Sequence, residues 1–250
     1  MVYNKTMFPK YNLDKIKFAT NASTFEKAVD LYEKGKVTKF EEGISAYSAV
    51  VQGSQPYRVS VEARRYDYGR CECYLGQNDT LCKHMVAVAM YAVMGGKKLS
   101  DEDKRLVSQV TCSGRLGELS KSKLSAAKKS VTSGTRYIKP YEGPSSTWFS
   151  YQNSLSEGCN RLSKIISELP VSLETAKLLI DTLLRLDDRL CRGGVDDSDG
   201  TVGGFIEETV QVLKEFAKLA PSCVKAFGIL KDKETCFGWE KPLLDIYRDK

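Results

Sequence analysis

The sequence predicts an α+β protein: a small antiparallel sheet carrying a zinc-bound ββα-like finger, followed by an all-α helical-hairpin domain. Three observations predict it. Segments with strand alternation crowd between residues 36 and 65. A Cys-x-Cys pair and a Cys-x-His pair follow directly. From residue 151 onward, apolar residues recur at helical spacing. The 250 residues, 42% hydrophobic and 28% charged, suffice for one or two domains with a real core, which excludes disorder throughout.

Residues 1–20 are polar and aromatic without clear periodicity. Ser23-Thr24-Phe25-Glu26 reads as a capping box opening a helix that ends at Gly35, with Phe25, Ala28, Val29 and Tyr32 on one face. Three strands follow over residues 36–42, 44–52 and 56–65, divided by Gly43 and by Gly53-Ser54-Gln55. The third alternates cleanly. Tyr57, Val59, Val61 and Ala63 point inward, and Arg58, Ser60, Glu62 and Arg64 outward. A helix over residues 83–94 ends at Gly95-Gly96 and is apolar nearly all round, which predicts burial on most sides.

The chain has a single histidine, and its position organises the chemistry. His84 stands two residues after Cys82, and Cys71-Glu72-Cys73 lies just upstream. Residues i and i+2 of a strand face the same way, so Cys71 and Cys73 can grip one ion from a strand end. Positions two apart on a helix diverge by about 200°. Cys82 is therefore expected just before a helix, with His84 in its first turn, where the helix dipole favours a thiolate. Gly76-Gln77-Asn78-Asp79 supplies the intervening turn. Three sulfurs and an imidazole suit tetrahedral Zn(II), one per chain, and four protein ligands make the site structural. The alternative is a set of buried free thiols beside a satisfied core histidine.

This arrangement resembles the SWIM-type zinc finger, a CxCx8CxH motif followed by a helix of small apolar residues. The surroundings resemble it as well: Ala46-Tyr47-Ser48-Ala49-Val50-Val51-Gln52-Gly53-Ser54, then Tyr57-Arg58-Val59-Ser60-Val61, then Cys82-Lys83-His84-Met85-Val86-Ala87-Val88-Ala89. The resemblance covers residues 25–95 or so and carries over only Cys71, Cys73, Cys82 and His84 as ligands. Members occur in Swi/Snf-type ATPases, Mutator-type transposases, recombination accessory factors and stand-alone prokaryotic proteins. The resemblance implies zinc binding together with DNA or protein interaction, without choosing between the last two.

The domain reading places the finger domain at residues 1–110 (finger core about 56–95), a basic Ser/Lys-rich linker at 111–150, and a helical bundle or helical-repeat-like domain at 151–250. Within the linker, residues 121–129 allow a short basic helix, and Gly143-Pro144-Ser145-Ser146 marks a flexible join. In the third segment, one helix through Leu155, Leu162, Ile165, Ile166 and Leu169 stops at Pro170. A second, capped by Ser172, runs through Leu173, Leu179, Leu183 and Leu190 to Gly193-Gly194. A third spans residues 205–219, and two short ones follow near 223–230 and 242–247.

Charge points to partners. The net charge is +6, distributed as +4 over residues 1–110, +5 over 111–150 and −3 over 151–250. The helix of the finger offers no polar side chains for a DNA groove, so contact with DNA or RNA would be to the backbone. The candidate cations are Arg58, Arg64, Arg65, Arg70, Lys83, Lys121, Lys123, Lys128 and Lys129, each of which also has an ordinary reading as a solvated surface residue. A protein partner, such as an ATPase or a recombination or repair factor, docking on the mildly acidic helical domain is the alternative.

With His84 committed to zinc and no nucleophile motif present, no enzymatic activity and no small-molecule substrate are expected. Asp196-Asp197-Ser198-Asp199-Gly200 imitates a calcium loop, yet Val195 and Ile206 stand where acidic ligands belong. It reads as a polar loop favouring the next helix N-terminus, a non-EF cation site being the alternative. Cys112, Cys159, Cys191, Cys223 and Cys236 show no ligand spacing and read as packing residues. The longest apolar run, residues 85–94, is about half of the ~20 residues a membrane helix needs, and Met1-Val2-Tyr3-Asn4-Lys5 opens no signal peptide. The expectation is the cell interior, cytoplasmic or, in a eukaryote, nuclear, where thiols stay reduced.

Overall fold

A computed structural model describes residues 8–249, and the coarse class is α+β: a four-stranded antiparallel sheet and eleven α-helices. The chain divides between Leu106 and Val107 into two compact units.

The first unit opens with α1 (Leu13–Ala19), capped by Asn12, in a stretch whose sequence shows no clear period; residues 1–7 lie outside the described residues. One turn of burial, Leu13 and Ile16 through Ala19, is too short for a period to register. Helix α2 (Ala22–Glu33) starts earlier than the predicted capping box. Asn21 is the N-cap, its side chain accepting from the Thr24 N–H, and Ser23 lies inside the helix. Phe25, Ala28 and Tyr32 are buried along one face, as their spacing predicts.

Strands β1 (Val37–Glu42), β2 (Ala46–Gln52), β3 (Pro56–Glu62) and β4 (Gly69–Cys71) pair in sequence order. Tyr47, Ala49, Val51, Val59, Val61 and Cys71 are buried on the inner face. The residues between them, Ser48, Val50, Arg58, Ser60 and Arg70, are not. The register places Ser60 opposite Ser48 on one side and opposite Arg70 on the other. The short turn helix α3 (Tyr74–Gln77) precedes α4 (Lys83–Met94), which has the predicted bounds and ends at Gly95 in the left-handed conformation. His84 through Met90 are all buried between the sheet, α1 and α2. A single turn, α5 (Asp101–Lys104), is tied back to α2 by the Lys104–Glu33 ion pair at 2.6 Å and the Leu99 N–H on the Glu33 carboxylate at 3.2 Å.

In the second unit the segment predicted as linker is instead structured and packed. Its Ser and Lys residues and Thr132 sit on the wet side of α6 (Lys121–Thr135), Gly134 and Thr135 are buried, and Val131 and the following Ile138 are completely buried. Upstream, Val171 donates to the Arg115 carbonyl at 2.7 Å and the Ser113 hydroxyl to the Leu169 carbonyl at 2.6 Å. Arg189 donates to the Thr135 and Ile138 carbonyls at the end of α6. The core is completed by α7 (Trp148–Ser167), α8 (Leu173–Cys191), α9 (Thr201–Leu219), α10 (Val224–Phe227) and α11 (Lys241–Arg248). Ser172 caps α8 in a reciprocal pair with Thr175. No helix among the described residues is long and apolar enough to cross a membrane.

Candidate metal centre

Three elements of the first unit converge on one point. Cys71 ends β4, Cys73 is the N-cap of α3, and Cys82 is the N-cap of α4 with His84 one turn-step inside it. All four residues are buried, and their ligand atoms lie within 4.8 Å of one another. The His84 Nδ1 atom stands 3.7 Å from the Cys71 sulfur and 3.9 Å from the Cys82 sulfur. Around tetrahedral zinc, with Zn–S near 2.3 Å and Zn–N near 2.0–2.1 Å, sulfur and nitrogen are separated by about 3.6 Å. The donor set therefore fits a metal ion held through Nδ1, with no ligand needing to move far. Four protein donors would fill a tetrahedral ion and leave no place for substrate.

The electrostatics of Cys71 and Cys82 point the same way. Cys82 is pushed down to about 4, first by the hydrogen bond from the Cys71 thiol, against the opposing effect of burial. Cys71 is pushed far up, first by that same bond to Cys82 and then by burial. Two buried sulfurs this close cannot both ionise unaided, and a divalent cation between them removes the conflict.

Two glycines and a tyrosine shape the pocket, and the ligand motif alone does not announce them. The Tyr57 ring packs on the His84 imidazole with centroids 4.7 Å apart, and its hydroxyl pairs with Ser54 at 2.8 Å. Tyr57 was expected simply to face the core. A Cβ at Gly53 would stand 2.9 Å from both the His84 Nε2 and the Tyr57 ring, closer than real contacts allow. A Cβ at Gly76 would stand 2.5 Å from the Cys71 Cβ and carbonyl oxygen, and the Gly76 N–H donates to the Cys73 sulfur at 3.4 Å. The only advance signal for these residues is turn composition, which locates a bend but not what the bend touches.

The candidate cations are divided between the two units. Arg58 and Arg70 share the outer face of the sheet, where with Lys39 they line a groove of about 760 Å³ that also contains Glu41, Glu72 and Asp79. Arg65 is paired with Asp67 at 2.7 Å and stacked on Tyr68 at 3.9 Å. Arg64 is exposed just beyond β3, and Lys83 is half-buried at the start of α4. Lys121, Lys123, Lys128 and Lys129 are exposed along α6, in the second unit.

The acidic loop before α9 caps that helix. Asp197 accepts from the Val202 and Gly203 N–H groups at 2.7 and 2.8 Å, and Asp199 from Thr201 at 3.1 Å. Asp196, Asp197 and Asp199 do not form a metal-holding group among the described residues. Of the five cysteines read as packing residues, Cys159 and Cys223 are buried and Cys112 partly so. Cys191 and Cys236 depart from that reading: both are exposed, and they are joined as a disulfide. No family model, no curated protein and no solved structure matches this chain. Fold and site alone thus define its class: an α+β protein with a buried Cys3His cluster able to hold a metal ion.

Proposed function

We propose that this chain is a stand-alone SWIM-type zinc-finger protein whose Cys3His site binds one structural Zn(II), and whose finger sheet binds nucleic-acid backbones without reading sequence. The observation that carries the reading is the division of labour between the two sides of the finger. Helix α4 is consumed by the core from His84 to Met90, so no polar helix face remains to enter a groove. Arg58 and Arg70 instead stand on the open sheet face, on the adjacent strands β3 and β4, with Arg70 directly opposite Ser60. Two guanidiniums on a rigid sheet suit phosphate contacts, which position a nucleic acid without specifying its bases. The role is non-catalytic in this reading, since the only histidine is a ligand and not a proton shuttle.

Binding of single- and double-stranded probes by the zinc-loaded chain, followed by anisotropy across a salt series, tests it. Affinity should fall steeply with salt and differ little between sequences. Arg58→Ala with Arg70→Ala should flatten the salt slope by about two counterions' worth. Absence of any shift at ~50 mM salt, where electrostatic binding is strongest, rejects the nucleic-acid role.

A second reading is favoured by Glu41, Glu72 and Asp79 in the same groove. They match the three cations in number, and a charge-balanced groove suits a protein surface of mixed sign better than a polyanion. In that case the finger is an adaptor for an ATPase or recombination partner. A stoichiometric partner that survives nuclease treatment would favour it, and recovery only in nuclease-sensitive complexes would count against it.

A further inference from the structure

Cys191 and Cys236 are 45 residues apart in sequence, with Cα atoms 5.8 Å apart. Cys191 is the last residue of α8, and Cys236 lies in the segment leading to α11. Their seating has support besides the sulfur–sulfur bond. Asp187, buried one turn before Cys191, accepts at Oδ1 from the Cys236 N–H and from the Trp239 indole N–H, each at 2.9 Å. The Cys236 sulfur rests 3.3 Å from the Asp187 carbonyl oxygen. Trp239 and Leu243, both buried, anchor the rest of the segment in the core. The backbone thus holds the two cysteines in bonding range, while both residues remain open to solvent. The buried cysteines of this unit, Cys159 and Cys223, lack that access.

We infer that Cys191 and Cys236 form a site of reversible thiol oxidation, exchanging with low-molecular-weight disulfides of the glutathione type. In the oxidising direction, the thiolate of one cysteine attacks a sulfur of the disulfide RSSR. A protein–SR mixed disulfide forms and RS⁻ leaves. The second cysteine, having lost its proton to solvent, attacks the protein sulfur of that intermediate, closes the Cys191–Cys236 bond and expels the second RS⁻. The protein gives up two electrons and two protons, RSSR becomes two RSH, and the reverse reaction follows the same path. Exposure makes each step accessible. Closure of a loop this long constrains the unfolded chain, so the oxidised second unit resists denaturation more than the reduced one. The reduced pair with Asp187 also presents three metal-ligand atoms, so metal capture by the dithiol is the competing outcome.

The test equilibrates the full zinc-loaded chain with a series of reduced-to-oxidised glutathione ratios, traps free thiols by alkylation, and reads Cys191 and Cys236 by peptide mass. The expected result is a smooth, reversible passage from dithiol to disulfide, the same from either direction. The denaturation midpoint of the second unit rises on oxidation, and that rise is absent in Cys191→Ser and Cys236→Ser. A pair that stays oxidised at every ratio, or that stops at the mixed disulfide, overturns the inference. So does an additional zinc held by the reduced wild-type chain and lost in Cys191→Ser. If the serine variants fail to fold, the peptide masses of the wild-type chain decide alone.

Discussion

Whether His84 serves as the fourth ligand depends on a few atoms around its ring. Nδ1 faces two sulfurs, Tyr57 covers one face, and the absence of a side chain at Gly53 leaves room for Nε2. Cys73→Ser or His84→Ala should abolish stoichiometric zinc and destabilise the first unit by several kcal/mol, read by metal analysis and by denaturation. Gly53→Ala should keep all four ligands yet lower zinc affinity roughly 10- to 100-fold, as loss of ligand support does. A chelator competition titration measures it, and unchanged affinity would show that the ring has space to move. Acid should release the metal, because protons compete for the thiolates and imidazole as pH falls. The Cys3His cluster was legible in the sequence because its spacing is local and its residue types are rare. Gly53, Gly76 and Tyr57 were not, because what gives them a role is a contact across the fold.

At the scale of elements, strands and amphipathic helices were legible wherever one face is buried over several turns, as in β3, α8 and α9. Helix α1 escaped because it is a single buried patch, and α6 was legible only as a short basic helix over residues 121–129, because only Leu124, Ala127 and Val131 mark its inner side among many Ser and Lys. Composition describes the wet face of such a helix and hides the packed one. Ile138→Ala should therefore cost the second unit about 2–5 kcal/mol in urea unfolding, the range for a large aliphatic removed from a core. A true linker residue would cost nothing measurable. In the first unit, the Glu33 carboxyl is held below its ordinary value, first by its hydrogen bond from Lys104 and then by the Leu99 N–H. A depressed carboxyl contributes stability above its unfolded value and loses it as pH falls through the folded one. Amide protection over residues 97–104, measured relative to the intrinsic exchange rate at each pH, should fall on acidification through the carboxylate range. Glu33→Gln should remove that pH dependence.

For the whole molecule, the excess positive charge falls in the first 150 residues, and the structure places part of it in each unit: Arg58 and Arg70 on the sheet of the first, the α6 lysines in the second. If both contribute to backbone binding, the salt slope of the full chain should exceed that of a Lys121, Lys123, Lys128 and Lys129 to Ser variant, with no change in sequence preference. The nucleic-acid reading and the adaptor reading both rest on a finger whose sheet and buried helix are held in place by a metal. Metal content with chelator-induced unfolding tests that foundation most directly. The expected result is a single zinc per chain, its loss in His84→Ala, and collapse of the first unit on chelation while the second stays folded. A purified chain that is fully folded and free of metal would contradict it.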